Sequence, residues 1–160
     1  MTKEDAFNSA KNAFSFNGAF FNNVAQEIGL EQALKLITKT SETIGEQFGQ
    51  MTKEQMDIKE LDAKTAAMVI KSVVSGYGIS NIDTEEKPTS VLIKVHGCPV
   101  YEGYRAVGID DETIEAMCRK GALRQLDTFF KQLDPNASYQ LKKFRSGPDD
   151  FCEEEITLRK

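Results

Sequence analysis

Histidine, cysteine and long apolar stretches are scarce in this chain of 160 residues, which holds one histidine, His96, and three cysteines, Cys98, Cys118 and Cys152. An odd number of cysteines cannot all pair within one chain, and in a reducing compartment they are thiols, buried or ligating. No apolar run approaches the roughly 20 residues that cross a bilayer. The opening stretch MTKEDAFNSAKNAF is too polar for a secretory signal. These absences predict a cytoplasmic protein with no membrane partner. No cluster of lysine and arginine supplies a basic footprint, and the formal net charge is −5, so nucleic acid is not an expected partner. The short KKFR at 142–145 is soon answered by DDFCEEE. Gly97, Gly103 and Gly108 fit neither phosphate-loop spacing.

What is present is an ordinary globular composition, 40% hydrophobic and 28% charged. The length predicts one domain over 1–160, with a helical part over 1–75 and a sheet-bearing part over 76–160. Phe20, Phe21, Val24 and Ile28 recur at helical spacing up to Gly29. Leu30, Ala33, Leu34, Ile37, Ser41, Ile44 and Phe48 continue the pattern, and Leu61, Thr65, Met68, Val69 and Val73 form a third stripe. TKED and TKEQ read as capping boxes with Thr2 and Thr52 as N-caps. The period then changes. PTSVLIKVHGC alternates Val91, Ile93 and Val95 against Leu92, Lys94 and His96, a strand whose hairpin partner is GISNID with EEKP at the turn. One long helix follows, capped by Asp110 or Asp111, carrying Ile114, Met117, Cys118, Gly121, Leu126, Phe129, Phe130 and Leu133, and stopped by DPN. SYQLKKF and FCEEEITL close the chain as two strands. The expected fold is α+β: N-terminal helices, then a ββαββ antiparallel sheet packed on the long helix.

If the strand runs straight through Gly97, His96 and Cys98 share a face, because side chains alternate. Cys118 lies on the apolar stripe of the long helix, and Cys152 shares a face with Ile156 and Leu158. All three thiols then face the sheet–helix interface. Three chemistries remain open for them. They pack as small hydrophobes. They bind a metal, with His96, Cys98, Cys118 and Cys152 as candidate ligands; zinc is admitted but not favoured, since no CxxC pair is present. Or one thiol is reactive. Cys98 has the strongest local case for a nucleophile, with His96 beside it as base and Arg105 near in sequence. Tyr101, Arg105, Cys118 and Cys152 are the expected lining of a pocket for a small molecule. The acidic run around Cys152 reads as a solvated face. FSFNGAFF carries more aromatic surface than one short helix buries alone, which predicts a homodimer through the N-terminal helices.

The segments CPVYEGYRAVGID, MC, LDPNASYQL and GPDDFCEEEI, with FNGAFFNNVAQEIGLEQALKL before them, resemble the L-2-amino-thiazoline-4-carboxylic acid hydrolase-like family. The second half is similar as well to the 4-vinyl-reductase sensory domains, small-ligand modules of related α+β fold. The first resemblance implies hydrolysis of a cyclic sulfur–nitrogen substrate at Cys98 and His96. The second implies zinc held by cysteines and an acid in the last two strands. Cys152 matches that pattern, but the penultimate-strand positions fall at about Leu141 and Phe144, which cannot ligate. Two readings follow: a hydrolase of a small cyclic amidine, or a non-catalytic ligand-binding or sensory module whose thiols line the pocket.

Overall fold

A computed structural model describes residues 2–158. Helices α1 (Lys3–Ile28), α2 (Leu30–Gln55) and α3 (Ala63–Gly76) come first. The hairpin of β1 (Ile82–Lys87) and β2 (Ser90–Val95) follows. Three helices, α4 (Pro99–Ala106), α5 (Asp111–Lys120) and α6 (Ala122–Leu133), lead to β3 (Ser138–Lys143) and β4 (Cys152–Thr157). The protein is α+β, as its sequence predicts. No helix among the described residues is long and apolar enough to cross a membrane.

The four strands form one antiparallel sheet in the order β1-β2-β4-β3. Register decides which side chains share a face. Val91 stands opposite Ile156, Ile93 opposite Glu154, and Val95 opposite Cys152. On the far side of β4, Tyr139 pairs with Ile156 and Leu141 with Glu154. These residues make the inner face, which the helices cover. The other parity gives the outer face, where Lys94 stands opposite both Asp83 and Glu153. Opposite charges in cross-strand pairs suit a solvated face.

The long helix expected from Asp110 or Asp111 to Leu133 is two helices, α5 and α6, and a further helix, α4, precedes it. Pro99 occupies the first turn of α4, where its missing N–H costs nothing and its fixed φ favours the start. Asp110 caps α5 by accepting from the Thr113 N–H at 2.8 Å. Gly121 then leaves helical geometry, with φ −106° and ψ −96°, and divides α5 from α6. At the N-terminus, Thr2 and Asp5 form the predicted capping box. Thr52 does not cap, because α2 runs through it to Gln55; the cap of α3 is Asp62. The buried face of α3 is Ala66, Val69, Ile70 and Val74, while Met68 is exposed. An apolar arc this wide admits more than one stripe at helical spacing, and small alanines hid the true one.

Helices α1 and α2 form an outer layer. α1 leans on α4 and α2 on α6, and the two touch one another much less. Ser41, Gly45 and Gly49, four residues apart, present a narrow seam to α6. A Cβ at Gly45 would lie 2.4 Å from the Gln125 carbonyl oxygen, so only glycine permits this approach. Gly45→Ala should therefore cost about 1–3 kcal/mol in chemical denaturation, the range for overpacking a tight contact. Gly76→Ala is the control: nothing lies near its Cβ position, and it should be neutral or stabilising by up to about 1 kcal/mol.

Candidate functional site

The splay of α1 from α2 leaves a cavity of about 640 Å³ between the outer helices and the inner face of the sheet. Its walls are mostly aliphatic and aromatic, with Phe14, Phe21, Ile37, Tyr104 and Met117 among them. Polar groups gather where the sheet and the inner helices meet. Cys98, at the N-cap of α4, Cys118 of α5, and Cys152 and Glu154 of β4 all line the same cavity. The three thiols thus lie along one cavity wall rather than on separate faces of the fold.

Glu154 is the unusual member. Alternation puts it on the inner face between Cys152 and Ile156, opposite Ile93 and Leu141. Its carboxylate accepts a hydrogen bond from the Tyr139 hydroxyl, itself buried. Desolvation raises the Glu154 pKa, against smaller lowering effects from Tyr139 and the positive charge of Arg145. Arg145, between β3 and β4, is 2% exposed. Its Nε donates to Cys152 Sγ at 3.4 Å and its Nη2 to the Val95 carbonyl at 2.8 Å. The guanidinium carbon sits 5.1 Å from the centre of the Tyr101 ring. Nη1 is buried without a hydrogen-bond partner. No ion pair joins Arg145 to Glu154 among the described residues.

Cys98 and Cys118 are not activated. Burial pushes Cys98 up to about 11, more than the Tyr101 backbone N–H and Arg145 pull it down. Burial also lifts Cys118 well above the ordinary thiol value, and neighbouring Cys98, Cys152 and Glu154 add to the rise. A thiolate nucleophile needs the opposite balance.

His96 and Cys98 do not share a face. The strand ends at Val95, and the chain turns through Gly97, which sends Cys98 inward. His96 stays on the outer side, half-exposed, with Nε2 2.8 Å from Asp83 Oδ2 and its ring 5.7 Å from that of Phe151. Arg105 is exposed as well; it donates to the Tyr101 hydroxyl at 3.1 Å and lies 3.7 Å from Asp111. The cation near the thiols is Arg145 instead. Tyr101 is divided: its ring lines the cavity and its hydroxyl donates outward to Asp111 at 3.0 Å. The expected four-residue metal set is thus not assembled, and no group of three His, Cys, Asp or Glu side chains among the described residues is placed to hold a metal ion.

Sequence reasoning passed over Glu154 and Arg145. The signal for Glu154 was present: a strand that turns Cys152 and Ile156 inward turns Glu154 inward too. Arg145 gave no such signal. Its neighbour Lys143 does pair outward with Asp150, at 2.7 Å, as the charge pattern suggests.

Glu154 has a raised folded-state pKa, so its contribution to stability is fully present below the ordinary value of 4.5 and is lost as pH rises through the folded value. Glu154→Gln keeps an oxygen for the Tyr139 hydroxyl and cannot ionise. Wild type should therefore lose stability relative to this variant between about pH 4.5 and pH 8, measured by denaturant unfolding. A constant difference across that range would show that Glu154 is solvated.

A family profile described as L-2-amino-thiazoline-4-carboxylic acid hydrolase matches residues 7–133. No curated protein matches the chain. The matched residues run from α1 through α6 and make up most of the sequence, so the protein belongs to the L-2-amino-thiazoline-4-carboxylic acid hydrolase family.

Proposed function

We propose that the cavity receives a small cyclic molecule of the thiazoline type and that the protein hydrolyses it at the cysteine and Glu154 end. The observation that carries this reading is the inner end itself: one carboxyl group whose pKa burial raises, facing a cavity with mostly apolar walls. Such a group suits general acid–base work, because its pKa is moved towards the working pH. Glu154 would give its proton to the departing ring atom or amine as water adds to the amidine carbon. Its carboxylate would then recover a proton from the added water. If the ring C–S bond breaks, the product carries a free thiol; if the exocyclic C–N bond breaks, ammonia leaves. Cys98, Cys118 and Cys152 serve as a polarisable lining around the sulfur-containing ring. Cys98 is a contact residue in this scheme, and His96, on the outer face beside Asp83, takes no part.

A second reading is a non-catalytic binding module. The raised thiols favour it, because a cysteine hydrolase requires a thiolate that burial disfavours here.

Incubation with 2-amino-thiazoline-4-carboxylate, read for both free thiol and ammonia, separates the two. Turnover should fall by about 10²–10⁴-fold in Glu154→Gln, the range for losing a general acid or base. His96→Asn should stay within about twofold of wild type. A ligand-induced rise in melting temperature without product would select the binding module. Neither product nor thermal shift would end both readings for this ligand.

A further inference from the structure

The cavity is larger than a thiazoline ring needs, and its polarity is uneven. A bare amino-thiazoline carboxylate is a single five-membered ring with two small substituents. The space available is about 640 Å³, within the range of about 300–1,000 Å³ that drug-sized ligands occupy. The polar lining groups from the sheet and from the inner helices α4 and α5 sit together at one end. The remainder is mostly Phe14, Phe21, Ile37, Ile44 and similar side chains, with Asn17, Thr40, Ser41 and Gln125 as its few polar members.

The way in is marked by exposure. Phe16, Phe20 and Leu36 line the cavity yet are 78%, 63% and 53% exposed, and all three stand on α1 or α2. The mouth therefore lies between these helices. Scattered exposed apolar side chains are ordinary, but three gathered around the opening of an apolar cavity form a continuous path from solvent to the buried end.

We infer that the ligand has two parts: a small polar ring held near Glu154 and the thiols, and an apolar extension, alkyl or aryl, that fills the rest of the cavity and passes between Phe16, Phe20 and Leu36. The inference rests on the thiazoline reading for the ring only. The extension follows from cavity volume, wall chemistry and the apolar mouth. It gives Phe16 and Phe20 a use within a single chain, beside the dimer contact that FSFNGAFF suggests.

Isothermal titration with 2-methyl-, 2-butyl- and 2-octyl-thiazoline-4-carboxylate tests it, with octanoate as a probe that lacks the ring. Affinity should rise at least about a hundredfold from methyl to octyl, since each buried methylene adds severalfold. Phe20→Ser combined with Leu36→Ser should reduce the octyl-to-methyl ratio at least tenfold. Both side chains are exposed, so folding is not at stake. A flat series in which methyl binds as well as octyl overturns the inference and leaves the thiazoline reading standing. Octanoate binding as tightly as the octyl thiazoline has the reverse effect: the apolar extension stands and the ring assignment fails.

Discussion

Glu154 is pulled two ways, and the outcome sets the chemistry of the whole cavity. Arg145 would favour an anion, and so would the hydroxyl of Tyr139. Burial favours the neutral acid, and burial is the larger effect, because the carboxyl group stands on the inner face of the sheet, where Ile93 and Leu141 are its cross-strand neighbours. Arg145 cannot reverse this. Its Nε and Nη2 are engaged by Cys152 Sγ and the Val95 carbonyl, its guanidinium lies against Tyr101, and its remaining nitrogen, Nη1, makes no bond to Glu154. The same desolvation keeps Cys98 and Cys118 protonated. One cause therefore raises the Glu154 carboxyl and the Cys98 and Cys118 thiols together at the same end of a single cavity.

The fold positions this end through register and close packing. Antiparallel pairing of β4 between β2 and β3 leaves Cys152 and Glu154 no choice of face. A slip of one residue would turn the outward Glu153 and Glu155 into the cavity instead. The glycine seam of α2 lets that helix sit close on α6, while α1 follows α4, and the divergence of the two opens the mouth. The family match covers the helices and the first hairpin, and with them Cys98 and Cys118. Cys152 and Glu154, in β4, and Arg145, between β3 and β4, lie beyond residue 133. The cavity walls thus belong to the matched region, and its buried acid and cation do not.

Much of this was legible in the sequence where one physical rule acts alone. The three N-terminal helices, the alternating strand at Val91–Val95 and the inward course of Cys152 all follow from periodicity. The failures arise where two rules compete. Gly97 and Pro99 turn the chain straight into α4, so alternation could not be carried from His96 to Cys98. Glu154 follows alternation but breaks the rule that carboxylates face water, and the second rule was given the greater weight. Arg145 sits in an irregular segment, where neither period applies. Its inward course is fixed by the carbonyl, sulfur and aromatic ring that receive it, which are distant in sequence.

The central claim is that burial, not the charge of Arg145, governs the carboxyl group facing the cavity. A ¹³C NMR titration of the glutamate side-chain carboxyls, with the Glu154 signal assigned by its loss in Glu154→Gln, measures this directly. The account predicts a midpoint above the ordinary glutamate value of 4.5. A midpoint at or below that value would mean that Glu154 is an ion stabilised by Arg145 or by water, and would contradict the account.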